Sequence, residues 1–186
     1  MKKDETPDSM LIRALQKRIL ELEKENERLS KLATTDSLTG LSNRECIKEK
    51  RMHTLKDLSI ILIDLDKFKP INDTYGHAVG DELLVWFGEL LRKHIRPRAD
   101  TIVRWGGDEF IIILHGAGKK KAEEIAANIM HDLTQNYFDT DDTSLLVEAS
   151  FGVASSNGDI FTDFESLLKE ADKEMYKHKE RKGEVR

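Results

Sequence analysis

The sequence predicts an α+β fold: an antiparallel-centred sheet of βαββαβ order with helices packed around it, preceded by an N-terminal coiled-coil helix. Three observations carry this. Apolar residues recur at heptad spacing from Leu11 to Ala33 and then stop. The run Ile60-Ile61-Leu62-Ile63 ends on an acid, Asp64. Two further apolar runs, Ile102-Val103 and Phe110 to Leu114, are joined across Gly106-Gly107, the pattern of a strand hairpin.

Taken in chain order, the heptads place Ile12, Ile19 and Asn26 at a, and Leu15, Leu22 and Leu29 at d. β-Branched residues at a with leucine at d favour a parallel pair of helices, Asn26 sets its register, and Arg18 at g faces Glu23 at e of the partner. A single amphipathic helix lying on the globular domain is the competing reading. Thr34-Thr35-Asp36-Ser37-Leu38-Thr39-Gly40-Leu41-Ser42-Asn43-Arg44 then breaks the period with cap and turn residues, which divides the chain into a stem, 1–33, and a globular domain, 34–186. Leu58 to Leu65 reads as a buried strand, and Asp81 to Ile95 as a helix with Leu83, Leu84, Phe87, Leu90, Leu91 and Ile95 inward. After the hairpin comes a helix from Lys119 to Asn136, a strand from Leu145 to Ala154, and a last helix with Phe164, Leu167, Leu168, Ala171 and Met175 on one face. This is the split βαβ, ferredoxin-like order, which by itself places helices on one side of an antiparallel sheet.

Composition removes several classes of function. At 186 residues there is room for one full domain and an appendage. The formal charge of -5 is mixed in sign along the chain and forms no basic stripe, so a nucleic-acid polymer is not the expected partner. Cys46 is the only cysteine, which excludes an internal disulfide framework and multi-cysteine zinc sites and points to a reducing compartment. No stretch has the apolar length of a membrane span, and Met1-Lys2-Lys3-Asp4-Glu5 leads into no signal-peptide core. The expected location is the cytoplasm, with no membrane contact in this chain.

The acids carry the chemistry. Asp108 and Glu109 stand side by side at the tip of the hairpin, where a divalent cation relieves their repulsion; hard oxygen ligands there suit Mg²⁺, and an ordinary polar turn is the bland alternative. Asp64 and Asp66 share a face of their strand, and pairing beside the hairpin brings Asp64 to Asp108 and Glu109. Such carboxylate clusters serve phosphoryl transfer. Asp66 taken alone reads as a cap for the following helical turn. Main-chain amides near Lys67, Phe68 and Lys69 open a short helix that can cradle phosphate. Asn72, His77 and Asp81 follow; Asp81 is either a helix N-cap or, with Asn72, the carboxylate and carboxamide needed to read a guanine edge.

Five ordered blocks resemble the GGDEF-domain diguanylate cyclases: Thr35-Asp36-Ser37-Leu38-Thr39-Gly40-Leu41-Ser42-Asn43-Arg44, Asp64-Leu65-Asp66-Lys67-Phe68-Lys69-Pro70-Ile71-Asn72-Asp73, Tyr75-Gly76-His77-Ala78-Val79-Gly80-Asp81, Gly106-Gly107-Asp108-Glu109-Phe110, and Ala171-Asp172-Lys173-Glu174-Met175-Tyr176. The resemblance covers nearly the whole globular part. It implies a sheet related to polymerase palm domains and condensation of two GTP into cyclic di-GMP with release of two pyrophosphates. It makes Asp64, the Leu65 carbonyl and Asp108 ligands of Mg²⁺, with Mn²⁺ as an alternative, and Glu109 a further catalytic carboxylate at the metal. Asp108 also helps activate the 3′-hydroxyl. Asn72 and Asp81 hold guanine, His77 supports that pocket, and the amides of Lys67, Phe68 and Lys69 hold the triphosphate together with Lys179.

The chain departs from the family pattern twice. An Arg-x-x-Asp product-inhibition site keeps Asp100 but has Pro97 at the arginine position, flanked by Arg96 and Arg98, so feedback inhibition is expected to be weak or absent. After Lys179, where relatives often have Gly-Arg-Asn, stand Glu180-Arg181-Lys182-Gly183, with Arg181 and Lys182 as candidate substitutes at the triphosphate. Because the product is two-fold symmetric, two half-sites must face each other, and the stem is expected to form the homodimer. A sensor domain is absent from this chain; the resemblance leaves room for one upstream. The rival reading is an inactive GGDEF module that binds GTP or a protein partner as a regulator.

Overall fold

The computed structural model describes residues 7–49, 57–140, 143–157 and 163–183; residues 1–6 of the expected stem and 184–186 of the expected domain lie outside it. The elements are α1 (Pro7–Thr34), β1 (Ser42–Asn43), α2 (Glu45–Glu49), β2 (Leu58–Leu65), α3 (Phe68–Tyr75), α4 (His77–Arg92), β3 (Thr101–Gly106), β4 (Glu109–His115), α5 (Lys119–Gln135), β5 (Phe138–Asp139), β6 (Ser144–Leu145), β7 (Ala149–Ser155) and α6 (Phe164–Lys182). The main sheet has the order β1-β3-β4-β2-β7. β2 runs antiparallel to both β4 and β7, so the strand ending in the acids occupies an interior position.

Every residue of β2 is buried, because the run from Ile60 to Ile63 offers an apolar side chain to each face in turn. On one face Ile61, Ile63, Phe110 and Ile112 pack with Leu83, Phe87 and Leu91 of α4 and Ile129 and Leu133 of α5. On the other, Ile60, Leu62, Ile111 and Ile113 pack with Phe164, Leu167, Ala171 and Met175 of α6. Helices therefore cover both faces, which corrects the one-sided packing read from element order. α6 sits unusually close: a Cβ on Gly152 of β7 would lie 1.9 Å from the Ala171 carbonyl oxygen and 2.6 Å from the Met175 nitrogen. Only glycine permits that approach.

Three boundaries differ from expectation. α4 begins at His77 after Gly76, so Asp81 lies one turn inside the helix and is not its N-cap. Ile95 falls beyond the end of α4 yet still packs on the core. Pairing of β7 with β2 starts at Ala149 opposite Leu65, where β2 ends; Leu145 belongs instead to the small β5–β6 ladder.

α1 stands away from the domain. Its heptad side chains Ile12, Leu15, Ile19, Leu22 and Leu29 are 52% to 55% exposed, which overturns the reading of a helix lying on the globular domain. The helix is closed off by its own junction, where the Asn43 amide donates to the Ala33 carbonyl at 2.8 Å. Among the described residues no helix is long and apolar enough to cross a membrane.

Candidate active site

The end of β2 and the β3–β4 turn meet at one cleft of about 600 Å³, lined by Asp64, Leu65, Asp66, Lys67, Phe68, Lys69, Asp108 and Lys179 among others. Two main-chain bonds orient its floor. The Leu65 N–H donates to the Asp108 carbonyl at 3.2 Å, and the Asp66 N–H donates to the Glu148 carbonyl at 2.9 Å on the opposite side. In a strand the N–H and C=O of one residue point the same way, so the Leu65 carbonyl faces the turn that carries Asp108. Asp64 is 2% exposed and accepts from Lys179 Nζ at 2.6 Å.

Glu109 pairs with Asp64 in register but lines a separate recess of about 210 Å³ with Leu62, Trp105, Lys169 and Asp172. Among the described residues no three His, Cys, Asp or Glu side chains converge as a metal cage. The cleft nevertheless fits a hard divalent ion. Three carboxylates line it, of which Asp66 is held by other donors; Asp64, Asp108 and one directed carbonyl remain as the partial oxygen shell that a hard divalent ion completes with water and substrate phosphates.

Lys67, in the left-handed region at φ 59°, turns the chain sharply out of β2 so that α3 starts at Phe68 over the cleft. The first amides of a helix have no intrahelical acceptor and suit a phosphate. Lys67 supplies no side-chain cap, and neither does Asp66. Asp66 is instead buried, accepting from Ser150 Oγ at 2.7 Å and from Lys182 Nζ at 2.8 Å, which corrects its reading as a cap. Lys182 also donates to the Ala149 carbonyl at 2.8 Å. Neither expected C-terminal substitute lines the cleft: Lys182 is engaged by Asp66 and Ala149, and Arg181 borders a recess with Lys119, Phe151 and His178.

Asn72 on α3 is half-buried, while His77 and Asp81 on α4 are exposed. These three are outside the lining of the cleft and form the neighbouring helical pair. α3 and α4 approach so closely that a Cβ on Gly80 would fall 1.9 Å from Asn72 Oδ1.

The hairpin is braced from a direction the sequence did not disclose. Arg104 donates from Nε and Nη2 to the Gly107 carbonyl at 3.0 and 2.9 Å, and from Nη1 to Asp36 Oδ1 at 3.2 Å. Asp36 also accepts from the Thr39 N–H at 2.9 Å and hydroxyl at 2.7 Å. Burial pushes the Asp36 carboxyl up, but the Thr39 and Arg104 bonds outweigh it and hold it below the usual range. One side chain thus ties the segment after α1 to the turn that bears Asp108.

At the expected inhibitory site, Asp100 is 8% exposed and fully engaged. Arg96 grips it from Nη2 at 2.7 Å, Nε at 2.9 Å and its own N–H at 3.0 Å, and the His115 N–H adds a fourth bond at 3.3 Å. Burial raises the Asp100 carboxyl, and these bonds together lower it below its ordinary value. Arg98 is exposed at φ 67° and takes no part in this cluster.

The sheet order and the acids at the end of its interior strand define a palm-like α+β domain. The chain belongs to the GGDEF family: residues 33–184 match the family described as diguanylate cyclase, GGDEF domain. It is 33% identical over 165 residues to Diguanylate cyclase A of Treponema denticola, covering 83% of this chain and 44% of that protein. The GGDEF domain of YfiN (TpbB) from Pseudomonas aeruginosa superposes with a TM-score of 0.71 at 33% identity, over 79% of this chain and 89% of that one. The coiled coil and GGDEF domain of DgcB from Caulobacter crescentus, solved in complex with c-di-GMP, gives 0.78 at 21% identity over 96% of both chains, a likeness of fold alone. The chain spans less than half the length of the curated relatives it matches.

Proposed function

We propose that this chain condenses two GTP into cyclic di-GMP and two pyrophosphates, as a Mg²⁺-dependent homodimer joined through α1. The observation that carries the reading is the cleft in which Asp64, Asp108 and the Leu65 carbonyl meet the opening of α3. A metal bound there neutralises phosphate charge and lowers the pKa of a coordinated hydroxyl. Asp64, Asp108 and the Leu65 carbonyl would hold it, and Glu109 adds negative charge beside Asp64. The amides of Lys67, Phe68 and Lys69 receive the triphosphate together with Lys179, which lines the same cleft. Asp108 accepts the 3′-hydroxyl proton. Each domain holds one GTP through Asn72 and Asp81, with His77 supporting that pocket; the second nucleotide comes from the partner copy.

Purified protein with GTP and Mg²⁺, its products resolved by mass, tests this directly. Cyclic di-GMP from the native chain and none from Asp108→Ala is the expected result. A verified dimer that binds GTP and makes no cyclic di-GMP would point to the regulatory GGDEF reading instead.

Gly80→Ala is expected to raise the KM for GTP about tenfold with little change in kcat. The new methyl displaces the Asn72 carboxamide and removes roughly one hydrogen bond, about 1.4 kcal/mol, from guanine binding. Steady-state kinetics with GTP as the varied substrate separate the two constants.

Product inhibition through Asp100 is weak or absent in this reading, because Arg96 and the His115 amide already occupy the carboxylate. Titration calorimetry should detect no tight cyclic di-GMP binding that Asp100→Ala abolishes. Asp100 contributes to stability instead. Its folded-state pKa is depressed, so this contribution is present above the unfolded carboxylate value of about 3.9 and disappears as the pH falls through the lower folded value. The melting-temperature gap between the native chain and Asp100→Asn should therefore be full at neutral pH and close in strong acid.

A further inference from the structure

We propose that Lys182 is a positioning residue of the metal site, acting through Asp66 to aim the Leu65 carbonyl. The inference rests on the metal-site reading given above.

Asp66 is 5% exposed, and each of its oxygens has its own donor: Ser150 Oγ on Oδ1 at 2.7 Å and Lys182 Nζ on Oδ2 at 2.8 Å. Its N–H is fixed as well, on the Glu148 carbonyl at 2.9 Å. That N–H and the Leu65 carbonyl belong to one planar trans peptide and point in opposite directions. Holding Asp66 by side chain and main chain therefore holds the Leu65 oxygen toward the Asp108 turn. A rotation of this peptide would remove one of three protein oxygens from the metal position.

Lys182 spans the place where this peptide is secured. Its second bond goes to the carbonyl of Ala149, the residue paired with Leu65 across β2 and β7. Lys179, three residues earlier on the same face of α6, reaches Asp64. Two lysines on adjacent turns thus bind two acids on alternate strand positions, and the ligand carbonyl lies between those acids. A buried ion pair of this kind is weak evidence for stability, since its desolvation offsets much of its attraction. Groups that orient a metal ligand, by contrast, typically change metal affinity by about 10- to 100-fold when removed.

The test measures Mn²⁺ binding to the full chain by electron paramagnetic resonance, with a non-hydrolysable GTP analogue present. Lys182→Met should raise the Mn²⁺ Kd about tenfold or more, and Lys182→Arg should restore it to within about threefold of the native value, the guanidinium keeping the charge and a donor for Asp66. A lowered melting temperature with unchanged Mn²⁺ Kd in Lys182→Met would mean a structural role only and would overturn the proposal. If Lys182→Met does not fold, Ser150→Ala removes the other Asp66 donor and is read in the same way: weakened Mn²⁺ binding supports the proposal, and an unchanged Kd in the folded variant refutes it. Should the native chain make no cyclic di-GMP while its Mn²⁺ affinity still depends on Lys182, the cyclase reading fails and the positioning role stands.

Discussion

Asp64→Asn is expected to lower cyclic di-GMP synthesis by about a thousandfold and to destabilise the domain at the same time, for separable reasons. The loss of synthesis follows from removing a charged metal ligand. The loss of stability follows from Lys179, whose side chain is 11% exposed and would be left without the carboxylate it faces at 2.6 Å. Removing one partner of a buried pair costs about 3–5 kcal/mol, whereas replacing both with apolar groups of similar shape is often neutral. The double variant Asp64→Leu/Lys179→Met should therefore regain most of the native urea midpoint and none of the activity. If activity returned along with stability, Asp64 would have no role beyond holding α6.

Removing residues 1–33 is expected to give a monomeric domain whose activity at low concentration falls by about 10²- to 10⁴-fold, the gain that tethering typically supplies through effective concentration. α1 leaves its apolar a and d side chains more than half exposed, and in the proposed dimer a second copy of the helix covers them. In the truncated chain the rate per molecule should rise with protein concentration; in the native dimer it should stay flat above the dimer dissociation constant. Sedimentation and initial rates over the same concentrations check both. Equal dimerisation and equal rates without the stem would remove α1 from the mechanism. The Asp36–Arg104–Gly107 bonds link the segment that follows α1 to the turn bearing Asp108.

What the sequence disclosed was what local periodicity and short motifs encode. β2, the hairpin, α5 and α6 follow from apolar spacing, and the meeting of Asp64 with the hairpin turn follows from strand pairing. The misread features are governed by distant contacts. Asp81 is a better N-cap by composition than Gly76, yet α4 starts at His77. Asp66 looked like a cap because its donors, Ser150 and Lys182, are 84 and 116 residues away. A buried acid one alternate position from Asp64 does demand a partner, and that demand was the one signal available for finding Lys182. Pro97 places no guanidinium at its own position. It gave no hint that Arg96 closes back on Asp100, since that depends on the turn between them and on the His115 amide. Arg104 and Asp36 likewise lie in motifs that no spacing rule connects.

The central claim is that two copies of this chain each hold half of one reaction, and mixed dimers test it most directly. Native chain and Asp108→Ala chain, unfolded and refolded together in varied ratio, distribute into native, mixed and dead dimers. If both half-sites are needed for ring closure, cyclic di-GMP formation per total protein falls as the square of the native fraction, to about a quarter at equal mixing. A linear fall, to about half, would mean that one protomer completes the reaction alone and would contradict the two-copy mechanism.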